Sequence, residues 1–163
     1  MKKHLRIGMV GFGAMGKTHA YSVASLPYFY SPLSFSASVH GICTTSAEKS
    51  ARICEELNFS RAYADAYDMI ADPEIDVVDI CTPNVTHFDI ADAALNAGKS
   101  VLCEKPFCVT PAQAEMRKGL GNRVMLRAGK IQYRIIGIHQ KCVVSQRKIL
   151  RKLYSVILYY KTY

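Results

Sequence analysis

The sequence predicts an α/β protein: a doubly wound parallel sheet, with a short basic extension at its C-terminal end. Three observations carry the prediction. Apolar, often β-branched runs alternate with helix-forming stretches in the order β-α-β-α-β-α-β-α-β-α up to about residue 116, the pattern of a parallel sheet with helices on both faces. The first apolar run, Leu5 to Val10, passes directly into Gly11-Phe12-Gly13-Ala14-Met15-Gly16. The turns that would leave strands 1, 4 and 5 are glycine-rich or polar, and in a doubly wound sheet these strands lie side by side, with their carboxyl ends on the ligand-binding edge.

The elements follow in order. Gly11 allows a tight turn out of the first strand, Gly13 lets the backbone approach a pyrophosphate, and Gly16 lets the following helix, Lys17 to Leu26, pack on the strand. The first-turn N–H groups of that helix lack intrahelical partners and carry the positive end of its dipole, which suits a dinucleotide phosphate. Pro27 is expected to end the helix, and the Tyr, Phe, Ser and Pro-rich segment behind it to be a long connection. A strand is expected over Ala37 to Cys43. Thr45-Ser46-Ala47-Glu48 has capping-box spacing and should start a helix reaching about Leu57. Arg61 to Tyr63 is a short strand candidate. Asp65 caps a short helix to Ile70, stopped by Asp72-Pro73. Asp76 to Cys81 forms the next strand and Thr82-Pro83-Asn84 its exit turn. Thr86-His87-Phe88-Asp89 resembles a capping box with Asp in place of Glu, and its helix runs to Ala97, with Gly98 as the stop. Ser100 to Cys103 is a fifth strand, left by Glu104-Lys105-Pro106. Thr110-Pro111-Ala112-Gln113 starts a last helix, with Pro at its first position.

Composition bounds the function. A chain of 163 residues, half of them apolar, suffices for one domain with a real core. No uninterrupted apolar run of about 18 residues occurs, so no membrane span is expected. Lys2 and Lys3 before an apolar stretch resemble a signal peptide, but three glycines at fingerprint spacing and the lack of a cleavage pattern favour the strand-turn reading. The six cysteines (43, 54, 81, 103, 108 and 142) show no C-x-x-C pair, so no metal site is expected, and buried reduced thiols fit a cytoplasmic setting. The net charge of +8 hides an asymmetry: residues 1–116 hold 9 Lys and Arg against 13 Asp and Glu, whereas residues 117–163 hold 12 Lys and Arg and no acid.

IGMVGFGAMGKTHA, DVVDICTPNVTHFDIADAALNAGKSVLCEKP and the Glu104-Lys105-Pro106 turn closely resemble the Gfo/Idh/MocA family, oxidoreductases of the glucose–fructose oxidoreductase and inositol dehydrogenase type. The resemblance covers roughly residues 4–116. It implies an NAD- or NADP-binding Rossmann domain, followed in the family by an α/β domain that shapes a sugar-like substrate site and usually mediates oligomerisation. It implies that Gly11, Phe12, Gly13, Ala14, Met15 and Gly16 hold the pyrophosphate. Thr82, Pro83, Asn84 and His87 would line the ribose and nicotinamide side. Glu104 and Lys105 would sit at the nicotinamide, with Lys105 as the catalytic group that orients the substrate hydroxyl and favours a developing alkoxide. Each role has a rival reading: turn shaping for Asn84, helix capping for Thr86, a surface helix residue for His87, a solvated lysine for Lys105 with Glu104 as its ion-pair partner, and plain structural thiols for Cys103 and Cys108.

The chain departs from the family pattern twice. The end of the second strand, where a carboxylate usually accepts the ribose 2′-OH of NAD, reads Cys43-Thr44-Thr45-Ser46. The hydroxyls of Thr44 and Thr45 tolerate a 2′-phosphate, so the cofactor is NAD or NADP with a lean to NADP. The second departure concerns catalysis. The family's Asp-x-x-x-His pair, whose His is the general acid/base, has no counterpart after Met116, where no acid occurs and His139 is the sole histidine. Three readings of residues 117–163 compete: a truncated or out-of-frame end, which is favoured; a basic module whose Ile149, Leu150, Leu153, Tyr154, Ile157 and Leu158 form the apolar face of a helix that binds anionic partners; and a completion of the sheet by Val124 to Leu126 and Ile131 to Ile138. The sequence therefore points to residues 1–116 as a dinucleotide-binding domain of a sugar or polyol dehydrogenase type, either within an enzyme or as a non-catalytic module or remnant. Its partners are the cofactor and, once a second domain is supplied, a sugar-like substrate. Self-association would cover the face that domain normally hides, and nucleic acid is not expected as a partner.

Overall fold

Strand β1 (Lys3–Val10) runs through the middle of a six-stranded, all-parallel sheet, flanked on one side by β2 (Phe35–Cys43) and β3 (Arg61–Tyr63) and on the other by β4 (Val77–Ile80), β5 (Ser100–Cys103) and β6 (Val124–Leu126). The order β3-β2-β1-β4-β5-β6 reverses direction between β1 and β4, as a doubly wound sheet does. The connecting helices are α1 (Ala14–Phe29), α2 (Ala47–Glu56), α3 (Ala66–Ala71), α4 (His87–Asn96) and α5 (Pro111–Met116). The computed structural model describes residues 3–30, 32–116 and 124–126. The apolar helix face read from Ile149 to Leu158 and the strand read from Ile131 to Ile138 lie outside the described residues.

Side-chain alternation distributes the core. On β1, Ile7 packs with Val23 and Leu26 of α1, Met9 packs with Ile42 and Ile53, and Val10 faces the opposite layer of Met69, Ile70, Phe88 and Ala91. Ile7 and Met9 are both fully buried, and each such side chain contributes about 1.5–3 kcal/mol through removal from water. The same period of two applies on β4. Val78 and Ile80 face the α4 side, whereas Val77 packs with Leu26 and Val23 on the α1 side. Asp79 shares the Val77 face and is fully buried, so the fold places a carboxylate against α1.

Several boundaries differ from the sequence expectation. Helix α1 continues past Pro27 to Phe29, and the Tyr30 N–H still donates to Leu26 O at 3.1 Å. Proline removes one N–H, yet a single further turn needs little more than that surviving bond. Strand β2 begins two residues early because Phe35, 1% exposed, is a core residue. The cap of α2 is Ser46, which accepts from Lys49 N at 3.2 Å, rather than Thr45. Thr86 does not cap α4: Asn84–Thr86 forms a 3-10 turn, and the Thr86 hydroxyl bonds within the turn instead. The start of α5 is the box the sequence suggests, with Gln113 N donating to Thr110 Oγ1 and Thr110 N donating to Gln113 Oε1, both at 3.2 Å. Beyond Met116 the chain adds β6 beside β5, as the sheet-completing reading has it for Val124 to Leu126. Among the described residues, no helix is long and apolar enough to cross a membrane.

Candidate dinucleotide site

The strand ends are level. Tyr63 lies opposite Cys43, Cys43 opposite Val10, Val10 opposite Ile80, Ile80 opposite Cys103 and Cys103 opposite Leu126. The exit turns therefore start from one row, and those of β1, β4 and β5 are adjacent.

The glycine turn is shaped by its neighbours. Gly11 has φ +93°, and a Cβ there would stand 2.7 Å from Cys81 O. Its N–H donates to Cys43 O at 2.8 Å, holding the turn across the sheet. A Cβ on Gly16 would collide with Gly11 O, so the close helix-strand approach requires glycine there. Gly13 is different: a Cβ would meet nothing within 4 Å. It caps α1, no side chain satisfies that helix end, no acid lies in its first turn, and the first internal bond is Lys17 N to Gly13 O at 3.0 Å. An open cradle with spare N–H donors fits an anionic pyrophosphate. Ala14 is exposed and Met15 half-buried beside it. Phe12 instead turns its ring into the core, edge-on to Phe59 at 6.2 Å, leaving only its backbone to the turn.

At the end of β2, Thr44 is tied locally. Its N–H donates to Ser50 Oγ at 2.9 Å, and its hydroxyl lies 3.0 Å from Ser50 Oγ and 3.2 Å from Ser46 O. Thr45 is exposed. In the β4 turn Thr82 is half-buried, and Pro83 and Asn84 are exposed. In the β5 turn Lys105 is exposed and precedes Pro106 through a cis peptide bond, while Glu104 is buried.

Two buried histidines stand behind these turns. His87, fully buried, is not a surface residue: Nδ1 lies 2.8 Å from Pro106 O and Nε2 2.8 Å from Thr82 O. It joins the β4 and β5 turns. His19, on the same stripe of α1 as Val23 and Leu26, puts Nδ1 2.9 Å from Asp79 Oδ2 and Nε2 3.0 Å from Glu104 Oε1. Burial disfavours its charged form, but the Asp79 charge and hydrogen bonds to Asp79, Cys81 and Glu104 override that, and its pKa is pushed up to about 12. His19 is thus an imidazolium between two carboxylates. Burial, reinforced by the Asp79 charge, pushes the Cys81 thiol up to about 12 as well. The His19, Asp79 and Cys81 donor atoms lie within 4.8 Å of one another, but they bond to each other, and an imidazolium offers no lone pair to a cation.

Sequence reasoning placed Gly11 to Gly16, Thr82, Pro83, Asn84, His87, Glu104 and Lys105 at adjacent turns of one edge, and the structure brings them there. It missed His19, Asp79 and Ser50. The available signal was the carboxylate in the apolar run Asp76-Val77-Val78-Asp79-Ile80: at a period of two, Asp79 falls on an inward face and needs a partner.

Comparison with known proteins identifies the family and its fold. Residues 5–123 match the GFO_IDH_MocA family, described as an oxidoreductase family with an NAD-binding Rossmann fold. Levoglucosan dehydrogenase of Pseudarthrobacter phenanthrenivorans is 36% identical over 113 residues, covering 69% of this chain and 29% of that protein. Myo-inositol 2-dehydrogenase of Thermotoga maritima is 29% identical over 111 residues, covering 68% of this chain and 31% of that protein. Among solved structures, levoglucosan dehydrogenase in complex with NADH and levoglucosan superposes with a TM-score of 0.66 at 36% identity, covering 71% of this chain and 32% of that one. An NAD-binding oxidoreductase from Klebsiella pneumoniae superposes with a TM-score of 0.70 at 34% identity, covering 76% of this chain and 34% of that one. The chain thus spans about a third or less of the length of these relatives.

Proposed function

From the premise that the chain belongs to the Gfo/Idh/MocA oxidoreductase family, we propose that it is the dinucleotide-binding part of a sugar or polyol dehydrogenase and that, as 163 residues, it binds NAD(P)H without turning over a sugar. The open cradle at Gly13, beside the Thr82-Pro83-Asn84 and Glu104-Lys105-Pro106 turns, is the observation that carries this reading. Gly11 to Gly16 bind the pyrophosphate through backbone N–H groups. Thr82, Pro83 and Asn84 flank the ribose and nicotinamide. The Lys105 ammonium, exposed at the end of β5, supplies positive charge where a substrate hydroxyl loses its proton. The bound nicotinamide supplies hydride transfer. Residues 117–163 contain no Asp or Glu, which supports binding without the acid/base step by these 163 residues.

The turn after β2 lacks a carboxylate and presents the exposed Thr45 hydroxyl, which supports acceptance of NADP as well as NAD. Cys43, Cys54, Cys81 and Cys108 form no disulfide among the described residues, which supports the reducing cytoplasm as its setting. Titration with NADH, followed by fluorescence, and a dehydrogenase assay with sugars and polyols test the proposal together. Saturable binding with no turnover is the expected result. Absence of binding overturns the dinucleotide reading, and robust turnover overturns the separation of binding from catalysis.

A further inference from the structure

We propose that His19 and His87 are positioning residues that bracket Lys105 from its two sides and so set the nicotinamide end of the cofactor site, a role that rests on the dinucleotide reading above.

The bracketing is geometric. Glu104, immediately before Lys105, is held twice: its N–H donates to Ile80 O at 3.0 Å, and its carboxylate receives His19 Nε2 at 3.0 Å. Pro106, immediately after Lys105, has its carbonyl 2.8 Å from His87 Nδ1. Lys105 itself is exposed between these two buried anchors. Each ring also reaches a second element. The other nitrogen of His19 is fixed by Asp79 on β4, and the other nitrogen of His87 lies 2.8 Å from Thr82 O in the β4 turn, a neutral imidazole donating to one of its two flanking carbonyls. The helix behind the glycine turn, the β4 strand and turn, and the β5 turn are therefore joined through two imidazoles.

A purely structural role explains His19 poorly. Buried ion pairs offset their desolvation only incompletely, and apolar residues of similar volume often serve stability as well or better. An imidazolium between two carboxylates gains something apolar packing cannot supply: a fixed direction for the Glu104 side chain. Asp79 of β4, Cys81 just after that strand and Glu104 just after β5 face the His19 ring, and Asp79 keeps the ring charged so that Nε2–H points at Glu104. A misplaced turn would shift Lys105 relative to the nicotinamide and leave the pyrophosphate cradle untouched.

The full 163-residue chain is titrated with NADH and with ADP-ribose, which lacks the nicotinamide. His19→Asn keeps an amide donor near Asp79 but cannot reach Glu104, and losing that charged hydrogen bond is expected to weaken NADH about tenfold while leaving ADP-ribose within about twofold. His19→Gln carries its amide further, towards Glu104, and is expected to recover most of the NADH affinity. His87→Leu is expected to give the same split as His19→Asn. Equal losses for both ligands, or a His19→Gln variant no better than His19→Asn, overturn the proposal. Wild-type protein that binds neither ligand overturns the dinucleotide reading and the proposal with it. Nitrogen-15 NMR of the wild-type imidazoles keeps the test decisive if a variant fails to fold: His19 should remain doubly protonated at roughly pH 9, well above an ordinary histidine, and a neutral ring there overturns the clamp.

Discussion

A methyl group added at Gly11 and the same methyl added at Gly13 have opposite readouts. At Gly11 it meets a backbone with φ +93° and Cys81 O at 2.7 Å, so Gly11→Ala should lower unfolding free energy by about 2 kcal/mol, seen by urea denaturation. At Gly13 it enters open space, so Gly13→Ala should leave stability within about 0.5 kcal/mol while weakening NADH in a binding titration. His19 carries a pH signature. Its folded pKa, about 12, lies above the ordinary histidine value of 6.5, so its contribution is fully present below the unfolded value and is lost as pH rises through the folded one. Stability measured at pH 7 and again at pH 9.5, roughly midway through that window, should fall more in wild type than in His19→Asn. At this scale the glycine turn was legible because its constraints lie within a few residues. The His19–Asp79–Glu104 bridge was not, because it joins positions 60 and 85 residues apart.

At the scale of elements, caps decide boundaries. Ser46, not Thr45, satisfies the first turn of α2, so Ser46→Ala should cost about 1 kcal/mol, whereas Thr45→Ala should leave the thermal midpoint nearly unchanged. The two hydroxyls offer the same chemistry one residue apart, and only backbone direction chooses between them. Thr86 failed as a cap for a related reason: its hydroxyl is taken up inside the 3-10 turn. The strands were readable from apolar runs, and the helices α2 to α5 from turn chemistry and capping. Strand β6 is three residues long; the sequence offered Val124 to Leu126 only as one of three competing readings, and the pairing with β5 is what selects it.

Over the whole molecule, the two rims of the sheet differ in chemistry. At the amino rim, Arg6 pairs with Glu74 and Asp76, and Lys99 Nζ donates to Asp72 O and Ile75 O. Asp72 also accepts from Tyr63 OH at 2.6 Å and Arg61 Nη1 at 2.8 Å. The Tyr63 hydroxyl and the Glu74 N–H, helped by Arg61 and opposed by burial, hold its carboxyl below the usual range. That stabilisation is present above the unfolded carboxylate pKa and is lost as pH falls through the folded one, so Asp72→Asn should flatten the acid limb of a denaturation series. The carboxyl rim instead carries the open cradle and the exposed Asn84 and Lys105. Cofactor choice belongs to this rim: NADP should bind within about tenfold of NAD in parallel titrations, because no carboxylate stands in Cys43-Thr44-Thr45-Ser46. The sheet order was legible from β/α alternation, since parallel crossovers leave few alternatives.

The level row from Tyr63 to Leu126 separates inheritance from improvisation. Every exit turn departs from the same plane, so a designer can diversify Gly13, Thr45, Pro83, Asn84 and Lys105 in one library and leave the strands beneath unaltered. Selection for a new nucleotide or a new charge pattern would then act on the rim alone, with the scaffold carried through each round as a constant.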